Sequence, residues 1–383
     1  VPHGGDVYGH GITKVPLKLR EGTNHLLAAG FRGPGLIHLD YASERQPVGR
    51  WDTTLPEIVP GEHTGMTAGI LLVNATEETR DGLEVEGTIL VEREDGEAAR
   101  YRLHPRRPVV IPPLGSVKVS LRGVNVSLPK TAKQAWLAVV VRRDGRVLEN
   151  HAWDLEVRDP DEAYRVTFRS GIDDSAQYYA VRRPTGERSL GAVLSLHGAG
   201  VDALNQARAY SPKKDHWIVA PTNRRPFGFD WQDWGRQDAY EVMADLKKLK
   251  GVVTPYLTGH SMGGHGTWHL AVNDPGRFRA IAPSAGWCSF DTYGSRPQGK
   301  LRDLWHAADA ASNTEALLPN LRRTRIYVLH GTDDDNVPLS EAEHLVASLK
   351  THGIEPQVHF EEGKGHWWDG DAAEGADCVD WPA

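Results

Sequence analysis

A serine flanked by glycines stands at Gly259-His260-Ser261-Met262-Gly263-Gly264. A serine hydroxyl is a poor nucleophile near neutral pH unless a base takes its proton and an acid orients that base. The G-x-S-x-G spacing suits such a nucleophile. A sharp strand-to-helix turn projects Oγ, and glycines on either side remove Cβ atoms that would clash there. The helix that follows aims its first N–H groups at the site and favours developing negative charge. Two later loops carry the partners. Ile326–Leu329 runs into His330-Gly331-Thr332-Asp333-Asp334-Asp335-Asn336-Val337-Pro338, and Gln357–Phe360 runs into Glu361-Glu362-Gly363-Lys364-Gly365-His366. The order is nucleophile, acid, base. Ser261 is expected to attack a carbonyl, with His366 as general base and then acid. One aspartate of the trio should be buried against His366 while the others face water. Asp334 is ranked first, Asp335 second and Asp333 third.

A tetrahedral intermediate needs two N–H donors. The backbone of Met262, directly after the serine, is expected to supply one. Ala199, in the His197-Gly198-Ala199-Gly200 loop after Ala192–Leu196, is expected to supply the other, with Gly200 close behind. His197 reads as a structural hydrogen-bonding residue. Aromatic residues gather near the same loops: Trp287, Trp367-Trp368, and Phe227, Phe229, Trp231 and Trp234. They either cap the loop layer or wall a substrate pocket, and Trp287, Trp367, Trp231 and Gly200 are the candidate substrate contacts. Arg224 and Arg225 share a loop with Trp231. Exposed arginines are common, and a carboxylate contact there is the minor reading.

These residues require a sheet whose strand ends meet at one edge. From about Tyr164 the chain alternates apolar strands with amphipathic helices, which is the pattern of a mostly parallel sheet covered on both faces. Tyr164–Arg169 and Gln177–Arg182 form an expected hairpin, followed by strands at Ala192–Leu196, Trp217–Ala220, Tyr256–Thr258, Ala280–Ala285, Ile326–Leu329 and Gln357–Phe360. Helical spacing marks Ala239–Lys250, Gly264–Val272 and Ser340–Thr351. Upstream the pattern is all β. Short strands between Met66 and Val157, punctuated by turns such as Glu94-Asp95-Gly96 and Arg143-Asp144-Gly145, indicate a sandwich of the immunoglobulin-like kind. The expected domains are residues 62–160 for that sandwich and 161–383 for the α/β domain. Residues 1–61 are read as a β-rich segment of a further module.

The 383 residues are too many for one ordinary core. A net charge of −7 gives no footprint for nucleic acid or an anionic membrane surface. No apolar run approaches the ~20 residues of a transmembrane helix. The N-terminus lacks both a signal-peptide pattern and a start methionine, which fits a trimmed or a processed chain. A secreted or periplasmic location is favoured over a cytoplasmic one. Cys288 and Cys378, the only cysteines, exclude a disulfide framework. Two unpaired core thiols are preferred over a single bridge. No H-E-x-x-H-type ligand spacing occurs, and the serine chemistry needs no metal or organic cofactor.

From Tyr164 onward the chain resembles the prolyl-oligopeptidase-like (S9-type) α/β-hydrolases and their esterase relatives. The resemblance rests on Gly259–Gly264, on His330-Gly331-x-x-Asp334-x-x-Val337-Pro338 and on Gly365-His366. The distance from His330 to Val337-Pro338 favours Asp334 within the acidic trio. The resemblance implies an α/β-hydrolase fold and a Ser261–Asp334–His366 triad. The upstream β-region is too short for the propeller of prolyl oligopeptidases, and His197–Gly200 looks more like the oxyanion loop of esterases. A carboxylic-ester hydrolase is therefore preferred, acting on a small ester that is aromatic or sugar-linked. A serine peptidase of short peptides is the second reading. A carbohydrate-binding or assembly protein with a vestigial hydrolase domain is the third.

Overall fold

The computed structural model describes residues 16–26, 37, 47–224, 230–294, 298–310 and 313–368. Most of the β-rich segment expected at residues 1–61 falls outside these residues where it precedes residue 47, as do Arg225, Phe227, Phe229 and Cys378. The chain divides into two compact units. One runs to Val157 and adds Thr167–Gln177; the other holds Arg158–Val166 and Tyr178 onward.

The first unit is built on β1 (Val48–Thr54), β2 (His63–Asn74), β3 (Arg80–Arg93), β4 (Ala98–Pro105), β5 (Val109–Ile111), β6 (Gly115–Ser127), β7 (Ala132–Arg143) and β8 (Arg146–Leu155). Neighbours run in the order β1-β2-β6-β4-β3-β7-β8, with β5 on β3, and every pairing is antiparallel. Alternation of side chains explains its core. Val85, Ile89 and Val91 of β3 face Val141, Leu137 and Ala135 of β7 in register, and all six are buried. Met66, Ile70 and Leu72 of β2 and Leu121 of β6 join the same cluster. The β1 strand comes from the segment expected to stand apart. It pairs with β2, and Val48 and Ile58 enter this core. Gly49 and Asp52 interrupt any apolar–polar alternation in β1, so its sequence gives little strand signal.

Strands β9 (Tyr164–Arg169) and β10 (Ala176–Arg182) each fall partly in either unit, and the second unit carries β11 (Gly191–Leu196), α1 (Ala203–Arg208), β12 (His216–Pro221), α2 (Asp233–Lys250), β13 (Tyr256–His260), α3 (Met262–Asn273), β14 (Ala280–Ser284), α4 (Leu301–Asp309), a 3-10 helix (Glu315–Leu321), β15 (Arg325–Gly331), α5 (Leu339–Thr351) and β16 (Gln357–Glu361). The sheet order is β16-β15-β14-β13-β11-β12-β10-β9. Strands β11 to β16 are mutually parallel, whereas β10 is antiparallel to β12. This order departs from chain order twice, where β13 adjoins β11 and β12 adjoins β10, as in the α/β-hydrolase sheet expected from the sequence. The parallel strands read as short apolar runs because helices cover both faces.

The helices obey their periodicity. On α2, Gly235, Asp238, Ala239, Val242 and Leu246 face inward, and Gly251 ends it in the left-handed region with φ 68°. On α3 every residue from Met262 to Val272 is buried. Two helices are not among those expected. The α1 helix has six residues, too few for periodicity, whereas α4 carries Leu301, Leu304, Trp305 and Ala308 at helical spacing yet buries none of its residues.

Candidate active site

Parallel strands deliver their C-terminal ends to one edge of the sheet, so loops far apart in sequence meet there. Three do so here. Ser261 lies between β13 and α3, Asp334 follows β15 and His366 follows β16. His366 Nε2 is 2.9 Å from Ser261 Oγ, and His366 Nδ1 is 2.8 Å from Asp334 Oδ2. The ionised carboxylate can only accept, so Nδ1 carries a proton and donates it. In the neutral ring Nε2 is then a lone-pair acceptor for the serine O–H, which is the arrangement a general base requires. All three side chains are nearly shielded from solvent.

The elbow geometry follows from the glycines. Ser261 takes φ 60° and ψ −120°, a conformation that costs a non-glycine residue about 1–3 kcal/mol. Its N–H donates to the Ser284 carbonyl at 2.9 Å, and its carbonyl accepts the His265 N–H at 3.1 Å. A Cβ on Gly263 would stand 1.9 Å from the Leu196 carbonyl oxygen, so only glycine lets α3 begin this close to the end of β11. That contact sets the elbow beside the His197–Gly200 loop.

Asp334 is the member of the acidic trio that turns inward, while Asp333 and Asp335 are exposed. Its Oδ1 accepts the N–H groups of Asn336 and Val337 at 2.9 and 2.8 Å. Burial opposes ionisation, but hydrogen bonds from His330, His366 and Val337 outweigh it and hold the carboxyl well below the usual carboxylate range. His330 is fully buried. Its Nε2–H donates to the Val337 carbonyl at 2.8 Å and lies 3.4 Å from Asp334 Oδ2, so it closes the acid loop from behind.

Residues 224–379 match the Prolyl oligopeptidase family, Peptidase_S9. In this stretch the second unit is similar to the prolyl-oligopeptidase-like serine hydrolases. An uncharacterized secreted protein of Arthroderma benhamiae is 28% identical over 226 residues, which is 50% of this chain and 24% of that protein. A probable dipeptidyl-aminopeptidase B of Verticillium alfalfae is 31% identical over 146 residues, 35% of this chain and 16% of that one. The chain therefore spans a quarter or less of the length of either relative. Among solved structures, a thermostable esterase aligns over 81% of this chain and 90% of its own, with 18% identity and a TM-score of 0.40.

In the second unit, Met262 opens α3 directly after Ser261, and Ala199 lies partly exposed in the loop after β11. His197 is buried beneath that loop, with its ring nitrogens facing the Gly198 and Thr222 carbonyls at 2.9 and 3.2 Å. Gly200 is exposed with φ 75°. The tryptophans separate. Trp231 is completely buried, donates from Nε1 to the His197 carbonyl at 3.1 Å and packs edge-on against the His197 ring. It is a strut under the loop, which corrects its expected place in a substrate wall. Trp287 is also buried, stacked between His265 and Tyr293 at 5.0 and 4.5 Å, and so offers no open face. Trp367 is different. The residue is 55% exposed, and its ring lies 4.2 Å from His260 and 5.3 Å from His366 between centroids. A Cβ on Gly198 would lie 3.6 Å from its Cη2. Its partner Trp368 turns into a small core with Tyr210, Ile218 and Leu329. Arg224 is occupied by Glu241 at 3.1 Å rather than presented to a ligand.

Three buried groups around the elbow escaped the sequence reading. His330 supports the acid, as described. Asp230 donates its N–H to Met262 Sδ at 3.0 Å, and its carboxylate faces His265 Nε2 at 3.7 Å. Desolvation raises the Asp230 carboxyl above its ordinary value, with His265 opposing. His265 lies four residues after Ser261 and faces the Trp287 carbonyl at 3.1 Å. An i, i+4 relation to the serine is the one sequence signal that marks it; the partner Asp230 has none.

Proposed function

We propose that the chain is a carboxylic-ester hydrolase. Ser261 Oγ attacks the ester carbonyl while His366 Nε2 takes its proton, and Asp334 steadies the resulting imidazolium. The N–H groups of Met262 and Ala199 receive the oxyanion. His366 then protonates the departing alcohol. Water enters, gives its proton to Nε2 and attacks the acyl-enzyme, and Ser261 regains its proton as the acid is released. The observation that carries this reading is the unbroken hydroxyl–imidazole–carboxylate chain, with links of 2.9 and 2.8 Å. Trp367, the exposed ring beside His366, is read as the wall for the acyl or alcohol group, and Gly200 as the backbone edge opposite it.

The esterase reading is tested directly. A fluorophosphonate probe should label Ser261, and Ser261→Ala and His366→Ala should each abolish turnover of p-nitrophenyl acetate without loss of fold by circular dichroism. Labelling at another residue would refute it. The family match and the aminopeptidase relative favour a second reading, a serine peptidase on short peptides. A panel of short-chain, hydroxycinnamate and sugar esters against aminoacyl- and prolyl-nitroanilides separates the two, with preferential amide cleavage deciding for the peptidase.

The β-rich unit is read as an immunoglobulin-like sandwich. Support comes from its wholly antiparallel pairing and from inward-facing residues of β2, β3, β6 and β7 sharing one core. The boundary between the two domains is placed near residue 160. Secretion is the favoured location, supported by the secreted relative. Among the described residues no helix is long and apolar enough to cross a membrane.

A further inference from the structure

We infer that Cys288, Glu315 and His344 form a site for one borderline-soft divalent cation, with zinc the best fit. The three residues sit on separate elements: Cys288 after β14, Glu315 at the start of the 3-10 helix and His344 on α5. One sulfur, one carboxylate oxygen and one imidazole nitrogen lie within 4.8 Å of one another. His344 Nε2 is already 3.0 Å from Glu315 Oε1. A tetrahedral zinc with bonds of about 2.3 Å to sulfur and about 2.0–2.2 Å to nitrogen and oxygen spaces its ligand atoms roughly 3.3–3.6 Å apart. The side chains reach that spacing with shifts of little more than about 1 Å. A mixed S, N, O set disfavours calcium and magnesium, which prefer oxygen alone.

The surroundings suit a cation. Glu341, a buried carboxylate, accepts the Cys288 N–H at 3.0 Å and the Thr292 hydroxyl at 2.7 Å. It adds a second negative charge beside the sulfur. The Ser348 hydroxyl donates to Glu315 Oε1 at 2.8 Å and orients that ligand, as outer partners of metal ligands commonly do. Access is from the His344 flank, where the side chain is 46% exposed, and water takes the fourth position.

A nucleophilic role for Cys288 fits less well. The residue is completely buried, so a carbonyl carbon has no approach to it. Burial also pushes the thiol up to about 12. Metal entry reverses that balance: the S–H bond breaks, a sulfur–metal bond forms, and the proton passes to solvent. The site would tie α5, which begins just after the Asp334 loop, to the segment following β14.

The test is titration of the full chain with zinc chloride by isothermal calorimetry, in two buffers of different ionisation enthalpy. One ion per chain is expected, with net proton release and a raised melting temperature. Cobalt(II) should give a thiolate-to-metal charge-transfer band that is absent in Cys288→Ser. Both Cys288→Ser and His344→Ala should weaken zinc binding at least about tenfold. The His344 side chain is half exposed, so that variant reports on binding even if the cysteine variant folds poorly. No saturable binding, or undiminished affinity in His344→Ala, would overturn the site.

Discussion

Replacing Asp334 by asparagine changes one atom and should silence the enzyme, for a reason fixed by its hydrogen bonds. Oδ1 accepts two backbone N–H groups, from Asn336 and Val337. Oδ2 accepts from His366 Nδ1. An asparagine must place its single oxygen on one side. Turning the NH2 toward Asn336 and Val337 would set donor against donor twice, at about 1–3 kcal/mol for each buried group left unsatisfied. The oxygen therefore stays with the backbone, and the NH2 faces His366. Nδ1 must then accept, which moves the ring proton to Nε2. There it points at Ser261 Oγ, and the imidazole donates where a base must accept. A wrong-tautomer histidine in a serine triad costs about 10⁴-fold in kcat.

The assay is steady-state turnover of p-nitrophenyl acetate, together with the rate of fluorophosphonate labelling at Ser261. Both should fall by about the same factor in Asp334→Asn, because both need the hydroxyl deprotonated. Asp333→Asn and Asp335→Asn, at exposed positions, should stay within about twofold of the native rate. A crippled Asp335→Asn beside a nearly normal Asp334→Asn would refute the hydrogen-bond reasoning outright.

Other perturbations read other parts of the structure. Gly263→Ala puts a Cβ 1.9 Å from a backbone oxygen that no rotamer change can move, so the elbow and the His197–Gly200 loop must separate by about 1.5 Å; kcat should drop about 10²-fold or more in folded protein, since misplacement of about 1 Å costs that much. Trp367→Ala removes a stacking face worth about 0.5–1.5 kcal/mol, and KM for aromatic esters should rise about 2- to 12-fold with little change for acetate. Burial raises the Asp238 carboxyl to about 6, so the folded state binds more protons than the unfolded one between pH 4 and 6 and loses stability as pH rises through that window. Asp238→Asn should accordingly raise the melting temperature at pH 7.5, by an amount equivalent to about 3 kcal/mol at most, and have no such effect at pH 4. Asp334 has the opposite sign: its depressed carboxyl stabilises the fold above the ordinary carboxylate range and ceases to as pH falls through its folded value, so Asp334→Asn should flatten acid unfolding at the low end.

What the sequence makes legible here depends on whether backbone direction alone decides a side chain's fate. Ser261, Asp334 and His366 each follow a short apolar strand, and parallel strands can only send such residues to one edge of the sheet. Strand order needs no knowledge of packing, and neither does the glycine requirement of the elbow. The tryptophans obey no such constraint. Trp231, Trp287 and Trp367 all stand near that edge along the chain, yet the rotation of each loop turns two of them inward and one outward. Trp231 goes inward because its indole N–H finds the His197 carbonyl, a partner no local pattern announces. Buried polar groups are the extreme case. His330 is four residues from Asp334 and shares its motif, so its support of the acid is half legible. Asp230 against His265, and Cys288 with Glu315 and His344, are assembled from separate elements whose spacing is set by loop lengths. Their chemistry exists only after the sheet has folded, and it is there that a change of one residue should have effects the motif cannot foretell.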